Sequence, residues 1–499
     1  MRLVLLFTFF LSANGFDFIV ENLKKYVNHD ADPCDDFYRH ACPLDVGIPR
    51  DLVFLGFQDI LAKNSLKNPR AWDKFSVKKD IFERPRNETF NDKIEELYLH
   101  LCENEGNTTL MLKHLEPILF NPAECRGRFC LAYIRDDPNC KRAAKHLNSK
   151  LSRDMALYLS ESLIEYHNQF FEFVTFIQIL NAILDIDVRD GIHLVEEYLE
   201  DMKKIAIEWV QKTPWAINNE VSKSIKSLIE QIYLFDNYGE NLRNSIDLFI
   251  KIEKAYTDCK AQYNDSKKAV ELCFLIVSQD PKLKIDVETL SFSDANAYYG
   301  LPSIYMGFAY YYVAQFTEAV SAKIGFSGGC VGHEFGHGLI KSTSADDLTY
   351  FSNNSRNCIQ NQYNSTCKEF VEQSCDTYDK QVDENGADII GLQLAYELLE
   401  RHCKDDLKTI YKPLNVTHQQ LFFYATAVSY CQGKRSHTIT RMDGTLDSHA
   451  SANIRVNAMI SQHPGFKDAF QCSKESRMIK SAVDQCIIYG EHAPQTRKH

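Results

Sequence analysis

CVGHEFGHGLI, residues 330–340, decides how the rest of the chain is read. On a helix, the 3.6-residue period puts His333 and His337 on one face, one turn apart, so both imidazoles can reach a single metal ion. Zinc takes neutral imidazole nitrogens, and a catalytic zinc keeps three protein ligands and one open position. Glu334, directly after the first histidine, would stand beside that open position, where a carboxylate can take a proton from water. Gly336 and Gly338 each cost a helix about 1 kcal/mol relative to alanine. Their presence points to a packing or close-approach constraint. The competing reading is a surface helix with incidental histidines, and the pentapeptide alone does not exclude it.

A third ligand has to come from elsewhere. VDENGADIIGLQLAYELL (382–399) is a second helical pattern, in which Glu384 and Asp388 are four apart and face one way. Glu384 can bind zinc while Asp388 accepts the free N–H of a zinc histidine and so fixes its tautomer. The plain alternative is an acidic pair near a helix N-terminus, favoured by the macrodipole.

The surrounding chain sets the context. Its 499 residues suffice for two or three domains, with 44% hydrophobic and 25% charged residues as in ordinary globular proteins. A net charge of −12 argues against nucleic-acid binding, which calls for a basic stripe. Residues 1–15 read as a signal peptide: Arg2, the apolar run 3–11, then small residues at Ala13 and Gly15. That run is too short to remain as an anchor. Sixteen cysteines and six N-x-S/T sequons (Asn87, Asn107, Asn264, Asn353, Asn364 and Asn415) fit an oxidising, extracellular route. The expectation is a secreted protein without a membrane anchor.

Residues 16–285 read as a mainly helical N-terminal region, for example over 219–239, where apolar residues recur at three- and four-residue steps up to Gly239. The aromatic stretch 290–314, with its Gly-Leu-Pro turn, is the best candidate for strands. Helical pattern returns at 327–341 and 383–400, and the polar segment 342–380 between them reads as a surface loop. A soft boundary falls near 285, which leaves 286–499 as the catalytic domain.

HEFGH followed by ENGAD resembles the neprilysin-type zinc endopeptidases, the M13 family. DPCDDFYRHAC (32–42), ELYLHLCEN (96–104), SDANAYY (293–299) and LDSHASANIRVNAMISQHPGFKDAFQC (446–472) are similar to further family blocks, in the family's order. The resemblance implies a mainly α fold with a small β-sheet: a thermolysin-like (gluzincin) catalytic domain plus a reduced helical roof domain. It implies one Zn²⁺ per chain held by His333, His337 and Glu384, with Glu334 as general base and Asp388 as the supporting carboxylate. His449 would hydrogen-bond the oxyanion, with Asp447 orienting it. Asn296 and the Ala297 backbone would bind an extended peptide as an added strand, and Arg455 would hold a substrate carbonyl. The implied activity is peptide hydrolysis on the amino side of hydrophobic residues. A catalytically idle member that binds peptides or a protein is the alternative.

The departures from the family pattern are specific. Ile340 stands where the family has a carboxylate after the second histidine, MIKSAVDQCIIY (478–489) lacks the family's Pro and Trp, and the N-terminal portion is short, most clearly between Cys259 and Asn296. By resemblance, Cys34 should pair with Cys472, Cys42 with Cys431 and Cys102 with Cys259. Cys125 or Cys130 would close on Cys140, and Cys486 would reach the 358–375 loop. Cys330 reads as a disulfide partner or a buried core thiol rather than a thiol at the metal.

Overall fold

The computed structural model describes residues 17–43, 47–49, 52, 188–216, 219–236, 251, 254–259, 261–262, 273, 280, 282–283, 295–340, 353–370, 379–432, 448–482 and 485–494. The leader at 1–15, the segments 96–104 and 155–184, and Cys102, Cys125, Cys130, Cys140 and Asp447 lie outside them. The chain divides into two compact units, one formed by 1–58, 186–236 and 291–499, the other by 59–185 and 237–290. The sequence reading placed all of 16–285 in one N-terminal region; here 186–236 groups with the catalytic half instead.

The first unit begins with α1 (Phe18–Tyr26) and α2 (Phe37–Ala41), each capped by an aspartate, Asp17 and Asp36, that accepts a backbone N–H of the first turn. Helix α3 (Arg189–Lys212) buries Val195, Tyr198, Leu199, Met202, Ile205, Ala206 and Val210, an i, i+3/i+4 stripe that explains its allegiance to this unit. Helix α4 (Asn219–Gln231) ends eight residues before Gly239, because Tyr233–Leu234 leaves the helix as strand β1. Strands β2 (Ala297–Gly300) and β3 (Ser303–Met306) form an antiparallel hairpin around Leu301-Pro302, whose peptide bond is cis. Strand β1 joins β3 in parallel, giving the order β1-β3-β2 and leaving β2 as an edge.

The strand reading of 290–314 holds only as far as Met306. FAYYYVAQF folds instead as α5 (Phe308–Phe316), with every residue from Phe308 to Ala314 buried. A continuous apolar run does not distinguish a buried strand from a helix buried all round, and here packing against α3 decides. Then come α6 (Val320–Lys323), a π-helical turn over Ile324–Gly328, and α7 (Gly329–Ile340), which carries the histidine motif.

The expected surface loop 342–380 is corrected: α8 (Asn353–Phe370) occupies its middle. Its buried face carries Ser355, Ile359, Gln362, Tyr363 and Thr366, a helical stripe disguised by its polarity. Asn364, one of the sequon residues, therefore sits on a helix, whereas Asn415 is exposed with φ 54°. Helix α9 (Asp379–Cys403) packs along α7. After the short pair β4 (Ile410–Tyr411) and β5 (Val416–Thr417) come α10 (His418–Tyr430), α11 (Ala452–Gln462), α12 (Pro464–Phe470) and α13 (Arg477–Ser481).

Disulfides Cys34–Cys472 and Cys42–Cys431 tie the N-terminal segment to the C-terminal helices, and Cys358–Cys486 fixes α8 to the C-terminal strand of chain. These are the expected pairings. Cys102–Cys259 is not: in the second unit Cys259 bonds Cys273, only 14 residues away, so the local partner takes it. Cys330 and Cys403 are free and buried.

Candidate active site

Helices α7 and α9 approach so closely that their backbones touch. A methyl group on Gly391 would lie 2.6 Å from the His333 nitrogen, and one on Gly332 would lie 2.8 Å from the Gly391 oxygen. At Gly336 the neighbour is Ala387 at 3.1 Å. This is the close approach that the glycines of the motif announced, and it brings the ligand-bearing faces of the two helices together.

Across that contact three side chains converge. Glu384 Oε2 lies 3.4 Å from Nε2 of His333 and 3.4 Å from Nε2 of His337. Ordinary N–H···O bonds are about 2.7–3.2 Å. Donors held about 2.0–2.1 Å from a tetrahedral zinc, by contrast, lie about 3.3 Å apart. Glu384 Oε2 is shielded from solvent and makes no well-aligned hydrogen bond among the described residues, although the partly exposed His449 places Nε2 3.1 Å away. A buried carboxylate oxygen between two imidazole nitrogens, at the edge length of a zinc tetrahedron, fits a zinc ion. Ligand atoms of His333, Glu334 and His337 also lie within 4.8 Å of one another, so the Glu334 carboxylate stands beside the same point.

Electrostatics separate the roles of the carboxylates. Burial would raise the Glu384 carboxyl, but His333, His337 and His449 hold it well below the usual range. Burial raises Glu334, and the neighbouring histidines only partly offset this, which leaves it a better proton acceptor than an exposed glutamate. Burial opposes charge on His333, yet Asp388 and Glu384 raise its pKa to about 9.

Asp388 is fully buried and receives groups from four other helices. His333 Nδ1 lies 2.8 Å from Oδ1, and Arg455 bridges both oxygens through Nε at 2.9 Å and Nη2 at 2.7 Å. Tyr363 donates to Oδ2 at 2.9 Å and Tyr430 to Oδ1 at 3.1 Å. The Arg455 guanidinium also stacks over the Tyr430 ring at 4.7 Å. Burial pushes Asp388 up, but Arg455 and His333 together hold the carboxyl well below the usual range. Arg455, expected from the resemblance to hold a substrate carbonyl, thus spends two of its nitrogens on Asp388 while still lining the cleft.

The remaining expected residues surround a cleft of about 390 Å³. Asn296, just before edge strand β2, and Ala297, its first residue, line the cleft with Tyr298 and Tyr299. His449 is partly exposed; its Nε2 lies 3.1 Å from Glu384 Oε2, and its Nδ1 meets Ser448 Oγ at 3.3 Å. Ile340, in place of a carboxylate, is buried and lines the cleft; its Cδ1 would lie 3.0 Å from a methyl group added at Gly386. Tyr299 stacks near His337, with ring centroids 6.5 Å apart. Cys330 also faces this cavity as a free thiol, which burial and nearby Glu334 push far up, so it stays protonated.

Sequence reasoning missed Tyr363 and Tyr430. Tyr430 had one usable signal, its place beside Cys431, whose pairing with Cys42 was expected. Tyr363 had none, because its helix was read as a loop.

Residues 296–486 match the family described as Peptidase family M13. Over 107 residues the chain is 36% identical to Endothelin-converting enzyme-like 1 of Homo sapiens, a match covering 21% of this chain and 13% of that protein. Over 182 residues it is 30% identical to Membrane metallo-endopeptidase-like 1 of Mus musculus, covering 34% and 23% respectively. The matched stretches therefore span less than a quarter of these relatives' length. Among solved structures, a chain of the Haemonchus galactose containing glycoprotein complex shares the fold with a TM-score of 0.54 at 14% identity, over 93% of this chain and 98% of that one. The fold is mainly α with small sheets, consistent with the thermolysin-like fold that the resemblance implies. Through residues 296–486, the chain is similar to peptidase family M13 and to its neprilysin-like members.

Proposed function

We propose that this protein is a secreted zinc-dependent endopeptidase that hydrolyses peptides on the amino side of hydrophobic residues. The convergence of His333, His337 and Glu384 at 3.4 Å spacing, with Glu334 buried alongside, carries the reading. Zinc, when bound there, would supply a Lewis acid that polarises the scissile carbonyl and makes water a nucleophile near neutral pH.

The chain's own residues supply the rest. Glu334 accepts the proton of the attacking water and returns it to the leaving amine; its raised pKa suits both transfers. His449, at the rim, donates from Nε2 to the oxyanion as charge develops there. The free edge of β2 at Asn296 and Ala297 receives an extended peptide through backbone hydrogen bonds. Asp388 holds His333 in the tautomer that turns Nε2 toward the ion. Secretion is supported by the apolar leader, the sequons and the disulfides; among the described residues no helix is long and apolar enough to cross a membrane.

Buried Ile340, at the position of a family carboxylate, favours a second reading: a member that binds peptides without turnover. Purified mature protein assayed with peptide libraries beside Glu334→Gln separates the two. The endopeptidase reading expects a loss of about 10²-fold or more in the variant with zinc retained. Equal hydrolysis in both, or none in either with zinc bound, overturns it.

A further inference from the structure

We propose that Tyr363 is a positioning residue of the metal centre: its hydroxyl locks the Asp388 carboxylate in the orientation that aims His333 at the ion. The inference rests on the zinc-site reading above. The torsion that turns an aspartate carboxylate is soft, without the sharp wells of an sp³–sp³ bond. Its plane is therefore set by its partners.

Arg455, from α11, spans both oxygens in a fork, and Tyr363, from α8, adds a second donor on Oδ2. Two helices thus fix the Oδ2 edge, which leaves Oδ1 facing His333 Nδ1 at 2.8 Å. An ionised carboxylate offers about four lone-pair sites. With two occupied on Oδ2, rotation would break both bonds at once. Loss of the phenol leaves Oδ2 with Arg455 Nε as its one donor among the described residues and loosens the plane that the Arg455 fork alone must then hold.

The segment that holds Tyr363 is anchored as a positioning element should be. Its neighbour Gln362 is fully buried and receives a 2.6 Å hydrogen bond from Gln462, which in turn accepts the Cys486 backbone N–H at 2.6 Å. The Cys358–Cys486 disulfide fastens α8 one and a half turns earlier. An ordinary core tyrosine needs only one acceptor for its hydroxyl; this one is aimed at the carboxylate that touches a ligand imidazole, from a helix braced on two sides.

Tyr363→Phe in the full-length mature chain is compared with Tyr424→Phe, which removes a buried phenol hydrogen bond to His40 away from the centre. Zinc affinity is read by competition with a chromogenic chelator, and ligand geometry by the visible spectrum after cobalt substitution. The proposal expects zinc to bind Tyr363→Phe about 10-fold more weakly, the lower end for a lost ligand-supporting partner. The cobalt bands should shift, with Tyr424→Phe unchanged in both. Should Tyr363→Phe fail to fold, Tyr430→Phe, which removes the other phenol from the same carboxylate, must show the weakened affinity and shifted spectrum. Zinc affinity within twofold of wild type and an unaltered cobalt spectrum overturn the proposal while leaving the zinc site intact. A wild-type chain that binds no zinc overturns both.

Discussion

Gly391→Ala tests the contact on which the metal centre depends. In a helix interior, alanine is favoured over glycine by about 1 kcal/mol, so without tertiary contact the variant would gain stability. Here the added methyl would lie 2.6 Å from the His333 nitrogen, 2.8 Å from its Cα and 2.9 Å from the Gly332 carbonyl carbon. All three are backbone atoms of α7, so no side chain can swing aside. Relief to ordinary contact at 3.4 Å needs α7 and α9 to part by about 0.8 Å. Overpacking of this kind costs about 1–3 kcal/mol or more, which exceeds the gain from propensity and leaves a net loss of about 1–2 kcal/mol. The same opening would stretch the 3.4 Å spacing between Glu384 and the two histidines to about 4 Å, too wide for ligands of one zinc. Urea denaturation of the chelated proteins reads the first effect, and zinc competition reads the second, with affinity falling 10-fold or more. Gly329→Ala is the control: its methyl would sit 3.9 Å from Thr426, and it should be as stable as wild type or more so. A Gly391→Ala protein that is more stable than wild type, with unchanged zinc affinity, would refute the reasoning.

Further expectations follow from single contacts. Removing Arg455 with Arg455→Met strands a fully buried Asp388 and should cost about 3–5 kcal/mol in denaturation; pairing it with Asp388→Asn should recover much of that loss, and strict additivity would contradict the ion-pair account. His463, half-buried against Tyr396, must stay neutral for Nδ1 to accept the Gly465 N–H, and its loss of solvent lowers its pKa to about 4. Its contribution is therefore complete above the unfolded pKa of about 6.5 and is lost as pH falls toward 4, about 3 kcal/mol in all. His463→Gln should flatten the stability–pH curve across that window, and an unchanged slope counts against it. Replacing Cys34 and Cys472 together by alanine opens a 438-residue separation and should lower stability by about 2–5 kcal/mol, read as a fall in the denaturation midpoint.

The parts of the site that could be read in advance are those whose chemistry is local. His333, Glu334 and His337 share one helical turn, as do Glu384 and Asp388, so residue type and spacing offered them as candidates and the family resemblance supplied their roles. The long disulfides followed from resemblance, and the structure holds both. What escaped depends on tertiary packing. The buried face of α8 is built from Ser355, Gln362, Tyr363 and Thr366, polar residues that pair with one another and with α9 and α11, so no apolar stripe marked it. FAYYYVAQF is buried on all sides, which erases the periodicity that separates helix from strand. Cys259 had a partner 14 residues away, and chain proximity outweighed the family analogy. Arg455 was expected from the resemblance to hold a substrate carbonyl; its two bonds to Asp388 needed α9 and α11 side by side.

The most direct test of the central claim is zinc stoichiometry by native mass spectrometry on wild type, His337→Ala and Glu384→Ala, each prepared in zinc-supplemented buffer. The three donors that share one point predict one zinc per wild-type chain and none retained by either variant. A wild-type chain without zinc, or variants that keep a full equivalent, would contradict the account.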